Sequence, residues 1–297
     1  MELLRLRVLF GLLWFSVTGA DANQFTYTGS VGQDKVELIL IHDYQLDALS
    51  GYLFNQSGRQ PVTLEKTPYL DGEGLLINIM DIPRMASAAL SLEPFVLGAQ
   101  TLQGNWVDLK TRERRSVDLR RAVHFSYESR DAYVGEMLQA KVDKRFYYLV
   151  HAQKQVGEPA GRVDHISVRD RVSGELVQKL DGLNLFFRGA ETLELVDFNG
   201  DGTLDFRVTP MLVRASDGAI VAGDPWYYLY QDAAGYQRHP SLEALAKRGH
   251  LRFDANGRVS LRPEAGVDYQ VGTIQWEHYS FAGTLQLKLH ARSEETF

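Results

Sequence analysis

Residues Asp197-Phe198-Asn199-Gly200-Asp201-Gly202-Thr203-Leu204-Asp205 spell D-x-N-x-D-G-x-x-D, four oxygen-bearing side chains spaced around a glycine turn. That donor set asks for a hard cation. Calcium takes about six to eight oxygens, and in loops of this kind alternate residues turn inward while glycine at the sixth place permits the reversal. The candidate ligands are the side chains of Asp197, Asn199, Asp201 and Asp205 with the backbone carbonyl of Thr203. A metal-free, Asx-rich β-turn draws on the same residue types. If Ca2+ binds, its expected role is structural, because three carboxylates converging without a cation repel one another and unpin the turn.

The flanks exclude a helical EF-hand, which needs a bidentate Glu at the twelfth place, where this chain has Val208. Leu193-Glu194-Leu195-Val196 and Leu204-Asp205-Phe206-Arg207-Val208 both alternate apolar and polar residues, until Pro210 ends the second run. The period of two predicts strand, loop, strand. Asp254-Ala255-Asn256-Gly257 begins in the same way but continues Arg258-Val259-Ser260 without the later acids, so it reads as an ordinary hairpin turn. A single acidic loop does not predict a regular propeller, whose repeats would each carry one.

Other chemistry leaves little trace. There is no Gly-x-Ser-x-Gly, no His-Glu-x-x-His and no phosphate-cradling glycine loop, and with no cysteine there is no thiol nucleophile. The eight histidines are scattered; His42, His124, His151 and His165 fall in or beside expected strands without metal-ligand spacing, which predicts packing or surface roles. Glu93, Glu128, Glu136 and Glu277 could make a glycosidase carboxylate pair only if folding brought two together. Trp226, Tyr227, Tyr228 and Tyr230 could stack on sugars, but adjacent residues of a strand face opposite sides, so half must be core.

Export is expected from the other end of the chain. Arg5 and Arg7 precede an apolar run from Val8 to Val17 and then Ala20-Asp21-Ala22, which reads as a secretory signal peptide over residues 1–22 cut before Asn23. The run is short of the about 20 residues of a comfortable membrane span. Without cysteine, neither disulfides nor a lipoprotein anchor is possible, so a soluble periplasmic or secreted bacterial protein, free of the membrane after cleavage, is expected. Cleavage removes two basic and two acidic residues and leaves the net charge at −6. With a pI of 5.8 and no basic stretch, nucleic acid is not an expected partner.

The elements that must position the acidic loop are almost all strands. Eight short alternating runs between Gln24 and Ala122, divided by turn signals such as Gly32-Gln33-Asp34, predict an antiparallel β-sandwich or barrel over residues 23–125. Residues 126–297 are expected to form a C-terminal β-rich, partial propeller-like domain carrying the strand-loop-strand calcium site. It opens with a charged, helix-compatible stretch, Ser129–Lys144, and then strands over Arg145–Gln153, Arg162–Arg169, Glu175–Leu180 and Glu191–Val196. Asp224–Tyr230 is a dense aromatic strand, and Pro240–Lys247 a helix that Ser241 would cap and Gly249 would close. The fold class is therefore all-β.

The order of several short motifs resembles one known family. Phe25-Thr26-Tyr27-Thr28-Gly29-Ser30-Val31-Gly32, Leu49-Ser50-Gly51-Tyr52-Leu53-Phe54 and Leu102-Gln103-Gly104-Asn105-Trp106 come first, then Val196-Asp197-Phe198-Asn199-Gly200-Asp201-Gly202, the aromatic strand and Pro240-Ser241-Leu242. The chain resembles calcium-binding periplasmic immunity proteins that inhibit lysozyme-like peptidoglycan hydrolases, the effectors of bacterial-killing type IV secretion systems. The resemblance implies an inhibitor rather than an enzyme, with the hydrolase effector as partner and Ca2+ as a structural ion. Ser50-Gly51-Tyr52 is similar to the Ser-Gly-x-Tyr loop of periplasmic lysozyme inhibitors, with Tyr one place early and Leu53 in its position. Those three residues are therefore candidates for partner binding, against a strand with glycine at a bulge and Tyr52 in the core. An exported carbohydrate- or surface-binding β protein and a glycoside hydrolase are the competing classes.

Overall fold

The computed structural model describes residues 23–55, 60–82, 85–125, 132–158, 160–254, 256–264, 267–268, 273–282 and 286–296. The proposed signal peptide and Glu128 lie outside them. The first region is a closed antiparallel barrel of β1 (Asn23–Val31), β2 (Asp34–Asp43), β3 (Ala48–Asn55), β4 (Gln60–Pro68), β5 (Leu75–Ile82), β6 (Met85–Leu92), β7 (Thr101–Asp108) and β8 (Arg114–Phe125). Each strand pairs with the next, and β1 closes the ring on β8, so no edge is left to aggregate.

Alternation fills the barrel. Val36, Leu38 and Leu40 of β2, Leu75, Ile77 and Ile79 of β5, and Leu90 and Leu92 of β6 point into one apolar core around Tyr27 and Phe95. Each fully buried Leu or Ile there contributes about 1.5–3 kcal/mol. The opposite face is not all solvent: Ile39, Phe54 and Phe125 on the outer wall belong to the core of the following region. The unbroken Leu38-Ile39-Leu40-Ile41 run is the signature of a strand covered on both faces.

The second region starts with a sheet in the order β12 (Leu176–Leu180), β11 (Arg162–Asp170), β10 (Phe146–Lys154), β9 (Tyr133–Leu138), with β13 (Leu185–Phe186) also pairing with β11. Here the helix-compatible stretch is corrected. Tyr133–Leu138 is a strand because it pairs with β10 and buries Tyr133, Met137 and Leu138, a tertiary gain that overrides the charged composition around it.

A second sheet orders β14 (Glu194–Val196), β15 (Asp205–Val208), β18 (Trp226–Gln231) and β19 (Gly235–Arg238), with a small ribbon of β16 (Met211–Val213) and β17 (Ile220–Ala222) beside it. The helix α1 (Pro240–Ala246) follows, and a last sheet joins β20 (Gly249–Phe253), β21 (Arg258–Pro263), β23 (Thr273–Phe281) and β22 (Val267–Asp268), with β24 (Leu287–Thr296) on β23. The cap of α1 differs from expectation. His239, not Ser241, accepts the Leu242 N–H on Nδ1 at 3.1 Å, and Pro240 takes the first helical position, where its missing N–H costs nothing. His239 is fully buried, which pushes its pKa down and keeps that nitrogen an acceptor. The helix closes at Lys247, and Gly249 starts β20.

Strand β18 joins two cores. Tyr228 and Tyr230 enter the core shared with the barrel wall, while Tyr227 and Leu229 enter a third core with Phe198, Leu242 and Val259. Trp226 is half-buried with the Arg238 guanidinium 4.1 Å above its ring. These aromatics are thus packed on protein rather than offered to sugar rings. Among the described residues no helix is long and apolar enough to cross a membrane.

Candidate metal centre

The acidic nonapeptide is the turn between β14 and β15, whose register sets Val196 opposite Asp205. Its inner hydrogen bonds come from the proposed ligands themselves. Asp197 Oδ1 accepts from Gly200 N (2.7 Å) and Asp201 N (3.2 Å), and its Oδ2 from Gly202 N (2.9 Å). Asn199 Oδ1 accepts from Asp201 N at 3.0 Å, and its Nδ2 donates to Asp201 Oδ2 at 2.8 Å. Asp201 Oδ1 accepts from Thr203 N at 2.8 Å. Gly200 and Gly202 have φ of 75° and 87°, the left-handed values that the reversal requires of glycine.

Alternation also decides what lies beneath the turn. Phe198, between two ligand candidates, points inward against Phe253 (4.6 Å) and Tyr227 (5.4 Å). The tip rests on the Asp254–Gly257 turn backbone to backbone. A Cβ on Gly200 would lie 2.6 Å from Gly257 N, and one on Gly257 would lie 1.7 Å from Asn199 O, so no side chain fits at either place.

Asp205 is the electrostatic centre. Its side chain is fully buried and accepts from Phe198 N and Tyr230 N, both at 2.9 Å. Burial outweighs those two donors and, with repulsion from Asp201 and Asp197, pushes its carboxyl up to about 7. Below it, Asp143 holds Leu204 N at 3.0 Å and Arg145 N at 2.8 Å, while Tyr236 donates its O–H to Leu204 O at 2.7 Å. The Tyr148 hydroxyl stands 2.7 Å from that of Tyr236, and burial raises the pKa of both phenols. Asp143 carries no motif in the sequence: it sits 54 residues before the acidic nonapeptide, within the charged Ser129–Lys144 stretch. Its Asp-x-Arg spacing is only an ordinary turn signal.

The donor chemistry fits a hard dication, with carboxylates, a side-chain amide carbonyl and a backbone carbonyl on one turn, and a buried acid whose ionisation a cation would favour. The side-chain oxygens are drawn to backbone amides rather than to one point. Among the described residues, the group of three His, Asp or Glu whose ligand atoms lie within 4.8 Å of one another is elsewhere, at His151, Asp164 and His165.

The partner-binding candidates are placed differently from a loop. Ser50, Gly51 and Tyr52 are in β3, paired on one side with β2 and on the other with β4 across a register shift between Leu49 and Gly51. A Cβ on Gly51 would lie 1.9 Å from Ile39 O, so glycine is demanded by the neighbouring strand. Tyr52 points out of the barrel into a cleft of about 1040 Å3, lined also by Ile41, Lys141, Arg188, Glu191 and Arg207. Its O–H donates to Glu191 at 2.8 Å, and burial, then the Glu191 charge, raises its pKa. Glu194, also on this cleft, pairs with Arg207 at 2.6 Å. Neither glutamate was singled out from sequence. Of the carboxylates that were, Glu93 follows β6, Glu136 is on β9 and Glu277 is on β23 held by Arg248 and Arg292, so three separate sheets carry them. Comparison with protein-family models, with curated proteins and with solved structures returned no match.

Proposed function

We propose that the chain is an exported, periplasmic immunity protein that binds and inhibits a lysozyme-like peptidoglycan hydrolase delivered by a bacterial-killing secretion system. Inhibition is by occlusion and needs no chemistry from the inhibitor. A structural calcium ion is held by Asp197, Asn199, Asp201, Asp205 and the carbonyl of Thr203. What carries this is the acidic turn between two paired strands with its last carboxylate buried, a stiff frame that a cation completes. The order of the short motifs along the chain supports the same family of partner.

A rigid protrusion suits a glycan cleft, because little conformational freedom is lost on entry. The β11–β12 hairpin has that form. Val172 at its tip is 90% exposed, and Asp170 Oδ1 stiffens the turn by accepting from Val172 N (2.9 Å) and Ser173 N (2.7 Å). Leu176 and Val177 extend an exposed apolar surface along the edge strand β12. Of Ser50, Gly51 and Tyr52, only Tyr52 lines the cleft.

The test is a turbidity assay with a lysozyme-like hydrolase encoded beside this chain. Stoichiometric complex formation and slowed lysis are expected, and Val172→Asp should weaken both. Full lysis in the presence of folded excess protein would refute the proposal. The cleft beside Tyr52, with its mixed charges and apolar floor, favours one second reading, an exported carbohydrate-binding protein. Pelleting with purified sacculi in the absence of hydrolase would select it.

A further inference from the structure

His151 on β10 and His165 on β11 are directly opposite in the ladder, and the next pair is Ala152 with Val163. Asp164 is thus the extra residue of a β-bulge, which turns it to the side of the sheet that an uninterrupted strand would deny it. The result is a compact trio. His151 Nδ1 is 2.6 Å from Asp164 Oδ1, His165 Nδ1 is 3.3 Å from Asp164 Oδ2, and the two rings stack at 4.6 Å with planes 9° apart. All three are half-buried, with side-chain exposures of 26%, 41% and 15% for His151, Asp164 and His165, so the trio is reachable from solvent.

We propose that His151, Asp164 and His165 form a second metal site, one for a first-row transition dication such as Zn2+. Two imidazole nitrogens and one carboxylate are the ligand set that zinc takes with one position left open, and neither imidazole suits calcium. Glu136, exposed on β9 directly opposite His151, stands on the same face of the sheet. Its carboxylate and that of Asp164 balance a dication when both histidines are neutral. The trio is built from cross-strand pairing, independent of the acidic turn on β14–β15.

The experiment is calorimetric titration of ZnCl2 into the folded chain in excess calcium, which keeps hard-ion sites filled. One equivalent of Zn2+ should bind, and the isotherm should be lost in His165→Gln and in Asp164→Asn. In the unmodified chain, Zn2+ should also protect His151 and His165 from diethylpyrocarbonate, read by mass spectrometry, which keeps the test valid should a variant misfold. Absence of Zn2+ binding would mean a hydrogen-bonded trio only, and equal binding by both variants, or protection of other histidines instead, would place the metal elsewhere. Each of those results overturns the site.

Discussion

The barrel and the region after it are built from the same element and held by different physics. The barrel core is mostly aliphatic, with Phe25, Tyr27 and Phe95 as its buried aromatic members, and its strands read as alternation in the sequence. The following region carries Tyr148, Tyr228, Tyr230, Tyr236, Phe146 and Phe206 in one core, with Asp143 and Asp205 buried beside them. An apolar core needs only the right period; a buried acid needs donors, and these are the backbone amides of Phe198 and Tyr230 for Asp205 and of Leu204 and Arg145 for Asp143. In the proposed function the barrel is the support and the later sheets carry the ion.

Substitutions in the two regions should separate these roles. Leu38→Ala, inside the barrel, should cost about 2–5 kcal/mol in denaturant unfolding, by the same amount in calcium and in EDTA. A calcium-dependent penalty there would mean that the barrel is coupled to the ion. Tyr236→Phe removes the O–H that joins Leu204 O to Tyr148 and should cost about 1–3 kcal/mol, while reducing the stabilisation that calcium adds. An unchanged calcium response in that variant would detach the tyrosine network from the turn.

A third contrast is in the pH dependence. Burial raises Asp205 from 3.8 to about 7, and burial raises Glu37, on the barrel's outer face, from 4.5 to about 7. Between the unfolded and folded values the folded chain holds the extra protons, so stability in EDTA is greatest at the acid end and falls as pH rises from about 4 to 7. Asp205→Asn should remove its share of that fall, as should calcium, whereas Glu37→Gln should remove the rest whether or not calcium is present. Thermal melts across that pH range check both, and a rise in stability with pH would reverse the assignment.

Much of this was legible in sequence, and the limits are physical. The alternating runs gave the strands, the acidic spacing gave the turn, and Pro240-Ser241-Leu242-Glu243 marked the helix, because each is a local pattern. The trio on β10 and β11 was not legible, since His151 and His165 are 14 residues apart and meet only through register, and Asp164 joins them only through a bulge. Ser50-Gly51-Tyr52 was ambiguous for the related reason that a Gly beside Tyr suits a loop or a bulged strand equally. The close approach of Ile39 O, a contact from another strand, decides for the strand.

The central claim is that a divalent ion completes the turn at Asp197–Asp205. It is tested most directly by calorimetric melting of the native-sequence chain from Asn23 onward and of Asp201→Ala, each in EDTA and in calcium. The account predicts a higher Tm in calcium for the native sequence and no such rise for Asp201→Ala. Identical Tm values for the native sequence in EDTA and in calcium would contradict it.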